Sequence, residues 1–247
     1  MTADRILVWS YGGGVQSVAI AVLVASGKLP CPDLAAIADT SREGTATWQY
    51  LSKYVLPLLS GIGLQIEIAP HSLATVDLYA HNGDLLLPMY TASSKFPTFC
   101  SSEWKEYVMM RWARQQGVKS CDVWLGFSHD EIRRAKPGRK KWFRRKFPLI
   151  DLMISRATCW QIIQDAGLPI PAKSACWCCP HRNNSEWRYL RDEQPDDWAK
   201  AIGLEELVRK QDSEIWLHRD RVLLPDVDID SGNFQDVGQC SLGYCFV

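Results

Sequence analysis

An α/β fold, with a parallel sheet flanked by helices, is what this sequence predicts, and three observations carry the prediction. Short apolar runs at Ile6–Trp9, Leu34–Ala38, Gln65–Ala69 and Val123–Leu125 end in polar or glycine residues. Helical patterns separate them, which is the rhythm of repeated strand–helix–strand units. The chain has 247 residues, 47% of them hydrophobic, enough to bury one such core and carry an appendage.

Composition bounds the function classes. Twenty-eight Lys and Arg balance 28 Asp and Glu, so no global field draws in nucleic acid or membrane. No stretch reads as a signal peptide or spanning helix, and the apolar segment 15–25 is too short to cross a bilayer. Nine cysteines without a secretory signal imply a reducing, cytoplasmic setting, with thiols or metal ligands rather than disulfides.

The first strand, Ile6–Trp9, ends at Ser10 and runs into Gly12, Gly13 and Gly14, then into about three helical turns. Strand, glycine loop and helix bring backbone N–H groups and a helix N-terminus together on an anion. Glycines let phosphate oxygens approach the amides. Ser17 can cap the helix or donate to the same anion. The spacing is neither G-x-G-x-x-G nor a Walker loop. The expected nucleotide site is therefore Ser10, Gly12, Gly13, Gly14, Gln16 and Ser17, against the alternative of a turn that only packs helix on strand.

The second strand ends at Asp39 and Thr40, beside the glycine loop and placed to meet a ribose or adenine edge. As an isolated pair they would be an ordinary helix cap. A helix from Thr45 to Ser60 precedes the third strand. From Pro70 to Phe99 the pattern weakens to a short helix and a loop over the strand ends. A helix follows to about Gln116, with Ser101 or Ser102 as N-cap. Lys105 in its first turns opposes the helix dipole, which an anionic ligand would explain and a solvated side chain would not need to.

The fourth strand closes at Gly126. Asp130 and Glu131 follow it and are candidates to hold Mg2+ with phosphate oxygens. Nine basic residues lie between Arg133 and Lys146, with Trp142 and Phe143 among them. They suggest an arm that lies along a phosphate backbone and stacks on bases, or else a solvated loop. A helix from Ser155 to Ala166 stops at Gly167 and Pro169. The expected division is a nucleotide-binding domain at 1–170 and a Cys-rich, mainly helical extension at 171–247, with helices at Ser185–Asp192 and Asp196–Lys210.

Cys176 and Cys179 have Cys-x-x-Cys spacing, which lets one turn present two thiolates to one metal centre. Two ligands do not complete a site. Cys100, Cys178, His181, Cys240 and Cys245 are the candidates for the rest, and a structural zinc is one outcome. The tail thiols, Cys240 and Cys245, can also act as nucleophiles or carry a persulfide.

The glycine loop resembles the PP-loop of N-type ATP pyrophosphatases, S-G-G-x-D-S. Gly13 and Gly14 match its glycine pair and Ser17 its last serine, while Gly12 and Gln16 replace the usual serine and aspartate. Those departures resemble the branch of PAPS reductases and the ATPase component of DNA phosphorothioation systems. Ala38-Asp-Thr-Ser-Arg-Glu43 is similar to the A-D-T-G-x-E segment of the PAPS reductase family. The resemblance implies a Rossmann-like, adenine nucleotide alpha-hydrolase-like domain that binds ATP. It also implies a [4Fe-4S] cluster on Cys100, Cys176 and Cys179, with an open iron able to hold sulfide.

The implied activity is adenylylation of an acceptor, with nucleic acid expected, followed by sulfur insertion. The sulfur would come from a cysteine desulfurase or other donor, with Lys105, Asp130, Glu131, Cys240 and Cys245 as catalytic candidates. Sulfonucleotide reductase activity is the alternative, although Cys240 lacks the Glu-Cys-Gly-Leu-His neighbours of those enzymes. A zinc-stabilised nucleotide or nucleic-acid binding module is the third reading.

Overall fold

A computed structural model describes residues 5–138 and 140–231. β1 (Ile6–Ser10) leads into α1 (Val15–Ala25), and β2 (Leu34–Ala38) follows. The helical stretch 45–60 comprises α2 (Thr45–Tyr50), a π-helical turn (Leu51–Val55) and α3 (Leu56–Ser60). Pro57, at the start of α3, has no N–H to donate back into the turn, and the wide π turn absorbs that lost bond. After β3 (Glu67–Ala69) and a long insertion carrying β4 (Tyr90–Thr91) comes a second π-helical stretch (Ser101–Glu106), continuous with α4 (Tyr107–Gln115). β5 (Cys121–Trp124), β6 (Phe143–Lys146), α5 (Pro148–Asp151) and α6 (Arg156–Asp165) complete the first part.

The main sheet is parallel with the order β3-β2-β1-β5-β6. Strand order reverses beside β1, so the glycine loop opens at the crevice where such sheets take ligands. α1 is apolar nearly all round and is buried between the sheet, α3 and α6. Val18, Ile20 and Val24 each contribute roughly 1.5–3 kcal/mol of burial there. The other face is covered by α4, through Val108, Met109, Trp112 and Ala113.

The sequence reading is corrected at residues 143–146. The expected basic arm ends in a sheet strand: Cys121 pairs with Phe143 and Trp124 with Lys146. Phe143 is buried in the core, and Trp142 is covered by the Arg114 guanidinium, 3.7 Å from its ring centre. Arg144 pairs with Asp122, Arg145 with Glu106 and Arg134 with Glu131. The aromatics therefore pack inward, and three of the nine cations in the run, two of them on the strand, are paired with carboxylates.

A third core joins the insertion to the C-terminal segment. Leu86, Leu87, Met89 and Trp104 pack with Trp187, Leu190, Leu204 and Leu217. β4 pairs antiparallel with β7 (Ile215–Trp216), through Tyr90 with Trp216 and Thr91 with Ile215. The stretch expected as a short helix and a loop over the strand ends does begin with a short helix at His71–Leu73, but the rest of it forms one side of the core it shares with α7 (Asn184–Glu193) and α8 (Pro195–Arg209). Asn183 and Glu186 form a capping box that starts α7. Asp197 of α8 is buried and accepts from the Thr45 N–H at 2.7 Å, so the C-terminal part caps α2. Among the described residues no helix is long and apolar enough to cross a membrane.

Candidate functional site

The first intrahelical bond of α1 runs from Val18 N–H to Gly14 O at 3.0 Å, which leaves the preceding N–H groups crowning the helix start. Ser17 Oγ accepts from Gly12 N–H at 2.9 Å, bracing the loop. Gly13 has φ +75°, and a Cβ there would lie 2.3 Å from Thr47 Cγ2, so glycine is required by both backbone and space. Gly126 at the end of β5 approaches the same helix start, where a Cβ would meet Ser17 Oγ at 3.0 Å.

Behind the loop lies a buried carboxylate that the chemistry of the glycines did not announce. Glu43 is 6% exposed, and its Oε2 lies 3.3 Å from Lys105 Nζ. Ser174 Oγ lies 2.5 Å from Gly12 O and 3.0 Å from Glu43 Oε1, so its one proton serves either acceptor. Thr47 Oγ1 approaches the same carboxylate oxygen at 3.3 Å. The anion that Lys105 meets is thus, in part, the protein's own. The one sequence signal for Glu43 was its place at the end of the Asp39–Glu43 segment. Nothing local marked Ser174.

The cysteine turn docks on that segment. Gly44 N–H donates to Ala175 O and Trp177 N–H to Arg42 O, at 3.2 and 2.8 Å. Arg182, itself buried, ties the turn from behind, its Nη2 donating to the Ala175 and Cys176 carbonyls. Cys100, Cys176 and Cys179 line one cavity of about 80 Å³, together with Gly12, Thr40, Lys105 and His181. Thr40 is fully buried, with its Oγ1 3.4 Å from Cys176 Sγ, and Asp39 Oδ1 accepts from Ser41 N–H at 2.7 Å. Burial pushes the Cys176 thiol up and Glu43 adds to this, while Lys105, Thr40 and Arg182 pull it down. Cys178 faces away, into the third core, where burial drives its thiol far up.

Asp130 and Glu131 each accept hydrogen bonds from protein donors. Asp130 Oδ1 accepts from Arg156 N–H at the start of α6, at 2.9 Å. Glu131 pairs with Arg134 and accepts from Gln16 Nε2 at 2.8 Å. Gln16, standing where the resembling loop has aspartate, therefore binds a carboxylate instead of adding one. Among the described residues no group of three or more His, Cys, Asp or Glu side chains is arranged to hold a single metal ion. Ser10 lines a small cavity with Gly12, Glu43 and Lys105. The expected tail nucleophiles Cys240 and Cys245 lie outside the described residues.

No family model matches the chain, and no curated protein matches it. Among solved structures it is similar to the U34-tRNA thiolase NcsA from Methanococcus maripaludis with its [4Fe-4S] cluster. The TM-score is 0.46 and the identity 14%, covering 83% of this chain and 72% of that one.

Proposed function

We propose that this chain is a PP-loop ATP pyrophosphatase that activates an acceptor, nucleic acid in our reading, for sulfur insertion. One observation carries the proposal: Gly12 of the phosphate loop, Lys105, and the thiols of Cys100, Cys176 and Cys179 line the same cavity. A nucleotide phosphate and a sulfur atom would meet there without a large movement.

In the first step the acceptor oxygen attacks the α-phosphorus of ATP, the bond to the bridging oxygen breaks, and pyrophosphate leaves. In the second, a sulfide-equivalent nucleophile from a desulfurase or other donor attacks the acceptor, and AMP leaves with the oxygen. The loop N–H groups hold the triphosphate, and Lys105, oriented by Glu43, offsets charge that grows on its oxygens. Magnesium would arrive on the nucleotide's phosphates, since Asp130 and Glu131 already serve Arg156, Gln16 and Arg134.

Three thiols spaced around a cavity suit a polynuclear centre better than one zinc ion, which needs its donors closed on one point. A [4Fe-4S] cluster held by Cys100, Cys176 and Cys179 would supply an open iron for sulfide. In this reading Cys240 or Cys245 accepts the donor's sulfur as a persulfide, the outer sulfur attacks the acceptor, and the other tail thiol breaks the remaining S–S bond, leaving a Cys240–Cys245 disulfide for an external dithiol to reduce. The test is pyrophosphate release from ATP by anaerobically purified protein, with and without nucleic acid and sulfide. Release that depends on acceptor supports the proposal. Absence of release under every condition, with reduction of a sulfonucleotide instead, would transfer the protein to the reductases.

A further inference from the structure

A larger cleft, about 480 Å³, opens on the other side of Ser10, between the helical stretch 101–110 and strands β5 and β6. Its size falls within the roughly 300–1,000 Å³ of sites that take nucleotide-sized ligands. Four cations border it, Lys105, Lys136, Lys140 and Arg145, against a single carboxylate, Glu106. Glu106 is paired with Arg145, and Lys105 lies against Glu43. Lys136 and Lys140 have no ion pair among the described residues. Two positive charges therefore face a concave wall without a protein counter-charge, which concentrates anions there.

A second, independent feature points into the same place. Ser101 is only 8% exposed, yet its Oγ has no hydrogen-bond partner among the described residues. A buried hydroxyl left unpaired is destabilising, so a partner from outside the protein is expected. Ser101 and Lys105 border both this cleft and the cysteine cavity. The remaining wall is apolar, with Met109, Val123 and Phe143. A cationic rim, an apolar wall and one buried hydroxyl suit a nucleotide's phosphate, base and polar edge.

We infer that this cleft holds a nucleoside monophosphate unit of the acceptor, with its phosphate on Lys136 and Lys140 and its far end reaching Ser101. The inference rests on the proposed function for the word acceptor, but the binding itself stands apart from it. Free nucleotide and a unit within a strand share this chemistry, so the experiment separates them.

The test titrates full-length protein, by calorimetry, with a nucleoside 5′-monophosphate, with a single-stranded tetranucleotide, and separately with ATP. Lys136→Ala/Lys140→Ala should weaken monophosphate or tetranucleotide binding at least tenfold and leave ATP affinity within twofold. Whichever of the two binds more tightly identifies the source. With the strand, each lost phosphate contact should reduce the salt slope by about 0.7. Ser101→Ala should weaken binding by a smaller factor without lowering Tm, because no internal bond is lost.

Equal losses for ATP and monophosphate would overturn the inference by making the cleft part of the ATP site. No binding by wild type at low salt, or unchanged binding by the double variant, would also overturn it. Lysine-dependent binding by a protein that releases no pyrophosphate would uphold the cleft and reject the proposed function.

Discussion

Lys105 Nζ stands 3.3 Å from Glu43 Oε2, joining residues 62 positions apart behind the glycine loop. The carboxylate side chain is 2% exposed and the lysine 20%, so the pair is intermediate between surface and interior. Lys105→Ala strands a buried charge and should cost about 2 kcal/mol, between the values for exposed and fully buried pairs. Urea denaturation should show that loss, and adding Glu43→Gln should recover most of it. The same double variant should remain inactive in pyrophosphate release, since stability returns but the cation does not.

The glycines of the loop are not equivalent. Any side chain at Gly13 meets Thr47 at 2.3 Å on a left-handed backbone, so Gly13→Val should lower Tm as well as ATP affinity. Gly14 has φ −93°, and its Cβ would lie 3.7 Å from Ser174, an ordinary contact. Gly14→Ala should fold with nearly unchanged Tm yet bind ATP at least tenfold more weakly, because the methyl group stands among the N–H groups. Equal affinity by calorimetry would mean that the loop does not hold phosphate.

The cysteines divide by position. Cys100→Ala, Cys176→Ala and Cys179→Ala should each remove visible absorbance from anaerobically purified protein, while exposed Cys31→Ala should not. Cys178→Ser should keep the absorbance and cost about 1–3 kcal/mol, since it places a hydroxyl in an apolar core. Iron and sulfide analysis of the five variants reads the difference.

Two histidines set an acid limit. Burial, with Lys95 and Lys173 adding, pulls His181 down to about 4. Burial and Arg219 lower His218 against a raising effect of Asp220. Both values lie below the ordinary 6.5, so the unfolded chain binds more protons and stability rises with pH. That stability is complete above about 6.5 and lost as pH falls toward the folded values. Denaturation midpoints should fall between pH 6.5 and 4.5, and His218→Gln should flatten part of that slope.

How much of this was legible follows the range of the interactions. β1, the glycine loop and α1 are contiguous, so apolar run, turn residues and helix all show in one stretch, and the cysteine turn carries its own spacing. β6 was read as a basic arm because Phe143-Arg-Arg-Lys146 has no alternation. What makes it a strand is pairing with β5 and the partners Asp122 and Glu106, which local pattern cannot supply. The insertion 70–99 was read as a short helix and a loop because its core partners lie about a hundred residues downstream. At the candidate site, Gly12, Asp39 and Cys176 were proposed from motifs and Cys100 from the family resemblance, whereas Ser174 is 131 residues from Glu43 and looks like any loop serine.

The contact of Ser174 with Gly12 O has a thermodynamic consequence. It fastens the segment leading into the cysteine turn to the loop that would bear the triphosphate. If filling the loop tightens the turn by some factor, filling the turn must tighten the loop by the same factor, because the cycle of four states closes. Nucleotide would then be held best by protein already loaded at the cysteines. An empty protein would consume less ATP to no purpose, and the coupling is readable as the ratio of two dissociation constants.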